Sequence, residues 1–146
     1  MAYFRVFIMA MTLLHSVTAS AQNEIDRLVD QFSTVGWSTF TSAVERDPKT
    51  HKIVKTVKTL ETNGQNIGAL KKAFEHESST GNFSKKKEGN VTKMALTVQT
   101  DKTNRVYMLN FSSNGYSYHN GKATIIVKVR QLSNKEKDSV EQQLEK

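Results

Sequence analysis

Apolar and polar positions repeat along this chain with periods that change several times, and each change marks an element. Ile25, Leu28, Val29 and Phe32 recur at i, i+3, i+4 and i+7, the stripe of an amphipathic α-helix. The pattern predicts a helix over Asn23–Val35. Asn23 suits the N-cap, Glu24 and Asp26 lie in the first turn where the helix dipole favours carboxylates, and Gly36 stands where a C′ glycine would. Trp37 to Val44 then turns rich in β-branched and aromatic residues and reads as a strand running on to Arg46. Asp47-Pro48-Lys49-Thr50 is a turn, with Pro48 presetting φ and Asp47 able to accept from the backbone ahead. Ile53–Leu60 returns as a second strand, so the pair predicts a hairpin. Its apolar residues fall on both faces, Ile53 and Val57 on one, Val54 and Leu60 on the other, which leaves its register open.

Asn63-Gly64 breaks that strand, and Ile67, Leu70, Ala73 and Phe74 form a second helical stripe that closes near Thr80-Gly81. Lys71 and Glu75 make an i,i+4 pair on its polar side. Ser79 to Ser84 reads as a polar loop leading into the run Lys85-Lys86-Lys87. Val91–Thr100 alternates with Met94, Leu96 and Val98 inward, Asp101–Asn104 is a polar turn, and Arg105–Ser112 puts Tyr107, Leu109 and Phe111 on one face and Val106 and Met108 on the other. A strand apolar on both faces belongs in the middle of a sheet. After a Gly/Asn/Tyr loop over Asn114–Gly121, Ala123–Arg130 is the last strand, with Ile125, Val127 and Val129 inward. Ser133 and Glu136 have capping-box spacing, which predicts a short charged helix reaching Leu144. The expected fold is α+β and two-layered: an antiparallel sheet of about five strands in the order α-β-β-α-β-β-β, with both helices on one face. Trp37 and Tyr107 are expected to pack in or beside its core.

The N-terminus adds an address. Arg5, the apolar run Val6–Leu14 and Ala19-Ser20-Ala21 have the three-part layout of a secretory signal peptide. The run is far shorter than the roughly 20 residues that span a bilayer. The expected organisation is a signal peptide over residues 1–21 cut after Ala21, one α+β domain over residues 22–132, and a charged helical tail over residues 133–146. A periplasmic or secreted location follows. The chain has no cysteine. That excludes disulfides, thiol catalysis, thiolate zinc sites and the lipid-bearing cysteine of a lipoprotein. Asn82, Asn90 and Asn110 head Asn-x-Ser/Thr triplets, but a strand position for Asn110 argues against glycan attachment there.

The net charge of +7 falls to +6 once Arg5 is removed. The basic residues are spread along the chain, with Lys85-Lys86-Lys87 the tight run and Lys52, Lys55 and Lys58 a looser series. A solvated basic surface explains most of this, and an anionic polymer is the functional alternative. His51, His76 and His119 are never at i,i+3 or i,i+4, so no sequence-local metal pair exists. They would suit proton transfer only if the fold brought them together. No Gly-x-Ser-x-Gly elbow, calcium loop or phosphate-cradling glycine motif appears. No catalytic residue, metal ligand or cofactor is therefore predicted. Tyr116 and Tyr118 alternate with serine in one loop that continues through His119 and Asn120 beside Asn114, Gly115 and Gly121, a composition suited to adaptable recognition.

Phe32-Ser33-Thr34-Val35-Gly36, Ser38–Ser42, Val44–Thr50, Arg105–Leu109 and Ile125–Lys128 together give the chain a pattern that resembles small exported proteins of Bacteroidetes grouped as a domain of unknown function. The resemblance runs to about Arg130 and implies an exported Gram-negative setting. It supplies no catalytic residues. The expected function is an exported, non-enzymatic binding or interaction module, working through an exposed sheet face, its edges and the Tyr116–His119 loop. Its partner would be an envelope or extracellular protein or peptide. The alternatives are a binder of anionic polymer (polysaccharide, lipid head groups or nucleic acid) through Lys85, Lys86 and Lys87, and a small hydrolase using His51, His76 or His119.

Overall fold

The computed structural model describes residues 23–113, 121–134 and 136. Helix α1 spans Glu24–Phe32, strands β1 and β2 span Thr39–Arg46 and Ile53–Asn63, and helix α2 spans Gly64–His76. A 3₁₀ turn, Glu77–Thr80, precedes strands β3 (Asn82–Glu88), β4 (Val91–Gln99), β5 (Thr103–Ser112) and β6 (Lys122–Gln131). The fold is α+β with one six-stranded sheet, ordered β1-β2-β6-β5-β4-β3 and antiparallel throughout. The segment from α2 to the 3₁₀ turn carries the chain from β2 to the far edge. The meander β3-β4-β5-β6 then returns to the middle, where β6 pairs with β2.

The strand beyond the expected five is β3, Asn-Phe-Ser-Lys-Lys-Lys-Glu. Residues 79–84 are therefore not one polar loop but a 3₁₀ turn followed by the start of a strand. Only Phe83 reaches the core of the sheet, so β3 lacks the apolar alternation that marks a strand in a sequence. Charge on an edge strand is a common protection against unwanted strand pairing.

Helix α1 begins as expected. Asn23 Oδ1 accepts from Ile25 N–H at 2.7 Å. It ends earlier, because Ser33 and Thr34 bond their hydroxyls back to the carbonyls of Asp30 and Gln31, a competition with helical bonding typical of such residues. Ser33, in right-handed conformation, closes the helix, so Gly36 does not act as its C′ glycine. Trp37, expected at the core, is 55 % exposed, whereas Tyr107 is fully buried. The β1–β2 turn forms as predicted: Asp47 Oδ1 accepts from Lys49 N–H and Thr50 N–H at 2.8 and 2.7 Å. Those two bonds, Thr50's first, hold the Asp47 carboxyl below its usual range.

Register decides the two faces of the sheet. Phe40, Leu60, Ile125, Leu109, Met94 and Lys85 form one cross-strand row, and Lys58, Val127, Tyr107, Leu96 and Phe83 the next. The buried members of these rows pack in one core with Ile25, Leu28, Val29 and Phe32 of α1 and Ile67, Leu70, Ala73 and Phe74 of α2. Both helices therefore cover the same face. Among the described residues no helix is long and apolar enough to cross a membrane.

Candidate functional site

The opposite face of the sheet carries no helix, and its side chains follow from the same register. Thr41, Thr59, Ile126, Met108, Ala95 and Ser84 make one row, and Ala43, Val57, Lys128, Val106, Thr97 and Asn82 the next. Val57, Val106, Met108 and Ile126 are half-buried there. Lys128 is exposed and stands between Val57 and Val106. A shallow concavity of about 270 Å³ lies over Ala95, Met108 and Ile126, rimmed by Lys86, Lys93 and Asn110.

Charge on this face is uneven. Glu88 accepts from Lys86 and Lys93 at 2.7 and 2.8 Å. Those two bonds, Lys86's first, hold its carboxyl below the usual range. Lys55 lies 3.7 Å from Glu45. Arg130 donates to Glu136 at 2.8 Å, where the predicted capping box forms: Ser133 N–H and hydroxyl reach Glu136 Oε2 at 2.9 and 2.8 Å. Bonds from the Ser133 backbone, then Arg130, lower Glu136 to about 2. Lys122 and Lys128 make no ion pair among the described residues, and Lys86 and Lys93 share one carboxylate, so the face is net positive even with Glu61 exposed on it.

The run Lys85-Lys86-Lys87 is divided by strand alternation. Lys85 and Lys87 project to the helix side, Lys86 to the open side. Lys85 is tied to Glu75 of α2 at 3.0 Å. The series Lys52, Lys55, Lys58 divides likewise, with Lys55 at the open face and Lys58 held by Asp30 at 2.8 Å. Tyr116, Tyr118, His119 and Asn120 lie outside the described residues. His51 occupies the β1–β2 turn at φ 57°, and no hydrogen bond links it to His76. His76 Nδ1 instead lies 3.0 Å from Glu24 Oε2, while Glu24 N–H donates to Glu77 Oε1 at 3.2 Å. These bonds join the start of α1 to the end of α2, and they bring Glu24, His76 and Glu77 within 4.8 Å of one another at the surface.

A family model matches residues 22–126. The chain belongs to DUF5024, a domain of unknown function. No curated protein and no solved structure matches. The DUF5024 match takes in both helices, β1 to β5 and the first half of β6, and so includes Val57, Val106, Met108 and Ile126 of the open face. One polar cluster of this DUF5024 chain was not foreseen from its sequence. Asp26, read as a helix-dipole residue, is 8 % exposed. Its Oδ2 accepts from Arg105 Nη1 at 2.7 Å and from the Tyr107 hydroxyl at 3.0 Å. The cluster ties α1 to β5 and is structural. The open face, by contrast, had a signal in the sequence, the apolar residues on the second face of β5.

Proposed function

We infer that the chain is an exported, non-enzymatic interaction module whose open sheet face receives a protein or peptide bearing acidic and apolar side chains. The observation that carries this reading is the row Val57–Lys128–Val106 beside Ile126 and Met108. Contiguous apolar side chains on an uncovered face mark an interaction surface, and a cation among them complements a partner of opposite charge. The signal-like N-terminus supports export, and the family match beginning at Gln22 agrees with a cut after Ala21. Lys122 and Lys128, exposed and without an ion pair among the described residues, support the second reading, in which the same face holds an anionic polymer.

A pull-down with protein beginning at Gln22, from envelope extract at low and high salt, separates the two. The expected result is a discrete protein partner retained at high salt. Met108→Asp should abolish its capture, and Lys128→Glu should weaken it about tenfold, a modest effect for a single interfacial charge reversal. Heterogeneous anionic material lost at high salt favours the polymer reading, because counterion release makes such binding salt-sensitive. Capture unchanged by both substitutions removes the open face from consideration.

A further inference from the structure

The two edges of the sheet are guarded differently. On β3, Lys85, Lys86, Lys87 and Glu88 are consecutive and charged. On β1, the six residues Thr39 to Val44 carry no charge and no proline, and only Phe40 of the whole strand is partly covered. The pairing of β1 with β2 runs regularly until the irregularity at Glu45/Arg46. An edge of this kind presents unpaired N–H and C=O groups to any strand that approaches. The exposed large apolar side chains among the described residues are Trp37, Val44 and Ile53, at 55 %, 52 % and 40 %. All three lie on or beside this hairpin, so backbone and side chains mark the same edge.

We propose that β1 pairs antiparallel with β1 of a second copy about a twofold axis at Ser42. The residues of β1 are self-complementary in that register. Phe40 faces Val44 of the other copy on the helix side, and Thr41 faces Ala43 on the open side. Ser42 faces itself, and Thr39 faces Glu45. No like charges meet, and the apolar residues of the helix side meet one another twice, as an isologous interface requires. Moving the axis to Thr41 sets Phe40 against Ser42. Moving it to Ala43 sets Phe40 against Arg46. The twofold keeps the helices of both copies on one side, so the open faces join into one continuous surface. Trp37 then comes alongside the Arg46 end of the other copy's strand, where a guanidinium over an indole is favourable. One strand pair is a small interface, so association is expected near 100 μM, on the order of a weak complex.

The absence of cysteine makes a direct test available, because a single introduced thiol can form a disulfide only between copies. Directly opposed residues in an antiparallel pair have Cα atoms about 4.5–5.5 Å apart, within disulfide reach. Under mild oxidation at about 100 μM, the concentration set by the small interface, Ser42→Cys should give a covalent dimer, and Ser84→Cys on the other edge should not. Sedimentation of the unsubstituted protein should show a concentration-dependent dimer. Ser42→Lys, which opposes two lysines on the axis, should remove that dimer while the monomer, in which residue 42 also faces Lys58 of β2, still unfolds cooperatively at low concentration. A monomer throughout, equal cross-linking of Ser42→Cys and Ser84→Cys, or a dimer that survives Ser42→Lys would each overturn the proposal. None of these readouts involves the open-face partner, so failure here is separate from failure there.

Discussion

Asp26→Ala is expected to destabilise the fold by about 3 kcal/mol, the range for a buried polar partnership broken from one side. The size follows from what is left behind. Tyr107 is fully buried, and its hydroxyl donates to Asp26 Oδ2. Without that acceptor the hydroxyl stays in the core unsatisfied. Arg105 loses its carboxylate too, but its side chain is 37 % exposed and can turn to water, which keeps the loss below that of a fully buried pair. Tyr107→Phe should cost only about 1 kcal/mol, because it removes donor and demand together. Denaturant unfolding of the two variants measures both, and equal losses would contradict the account.

The same cluster gives a pH dependence. Burial, the largest cause, pushes Tyr107 up to about 12 from 10.0. A raised acid favours the folded state while neutral. The stabilisation is therefore complete below pH 10 and is lost as pH rises from there to about 12. Tyrosinate absorbance of the folded protein should show one phenol ionising late, and that late step should vanish in Tyr107→Phe.

Gly81→Ala is expected to cost about 2–3 kcal/mol, as overpacking against a fixed backbone does. A Cβ at Gly81 would lie 2.1 Å from the carbonyl oxygen of Thr97 and 2.9 Å from its carbonyl carbon. Thr97 cannot retreat, since it is paired with Asn82 of β3 on one side and Val106 of β5 on the other. Relief must come from β3, so hydrogen-exchange protection of β3 should fall first. Gly68 supplies the control. A Cβ there meets nothing within 4 Å, and Gly68→Ala in α2 should stabilise by about 0.5–1 kcal/mol through helix propensity. If both substitutions were neutral, the close approach at Gly81 would be disproved.

Where apolar spacing was regular, the sequence predicted the element and its inward face. The stripe of α1, the stripe of α2 and the alternations of β4, β5 and β6 all carry side chains that the core takes up. β3 was missed because charge replaced alternation along it, and an edge strand gains its place from backbone pairing with β4 rather than from burial. Gly36 and Trp37 depart from their local rules for a related reason. Local rules describe what a glycine or an indole favours, but Ser33 and Thr34 close α1 first, and Trp37 is left just before the edge strand β1, more than half exposed.

The sequence by itself determined the α+β class, the two amphipathic helices, the caps at Asn23 and Ser133, the Asp47 turn and the central character of β5, because each depends on residues close together along the chain. Only the tertiary structure decided the strand order, the uncovered face and the division of Lys85-Lys86-Lys87 between two sides. It alone decided the meeting of Asp26 with Arg105 and Tyr107, and the contrast between a charged β3 edge and an uncharged β1 edge. Those depend on which strands become neighbours, and the crossover through α2 that sends β3 to the far edge and returns β6 beside β2 leaves no local pattern to read.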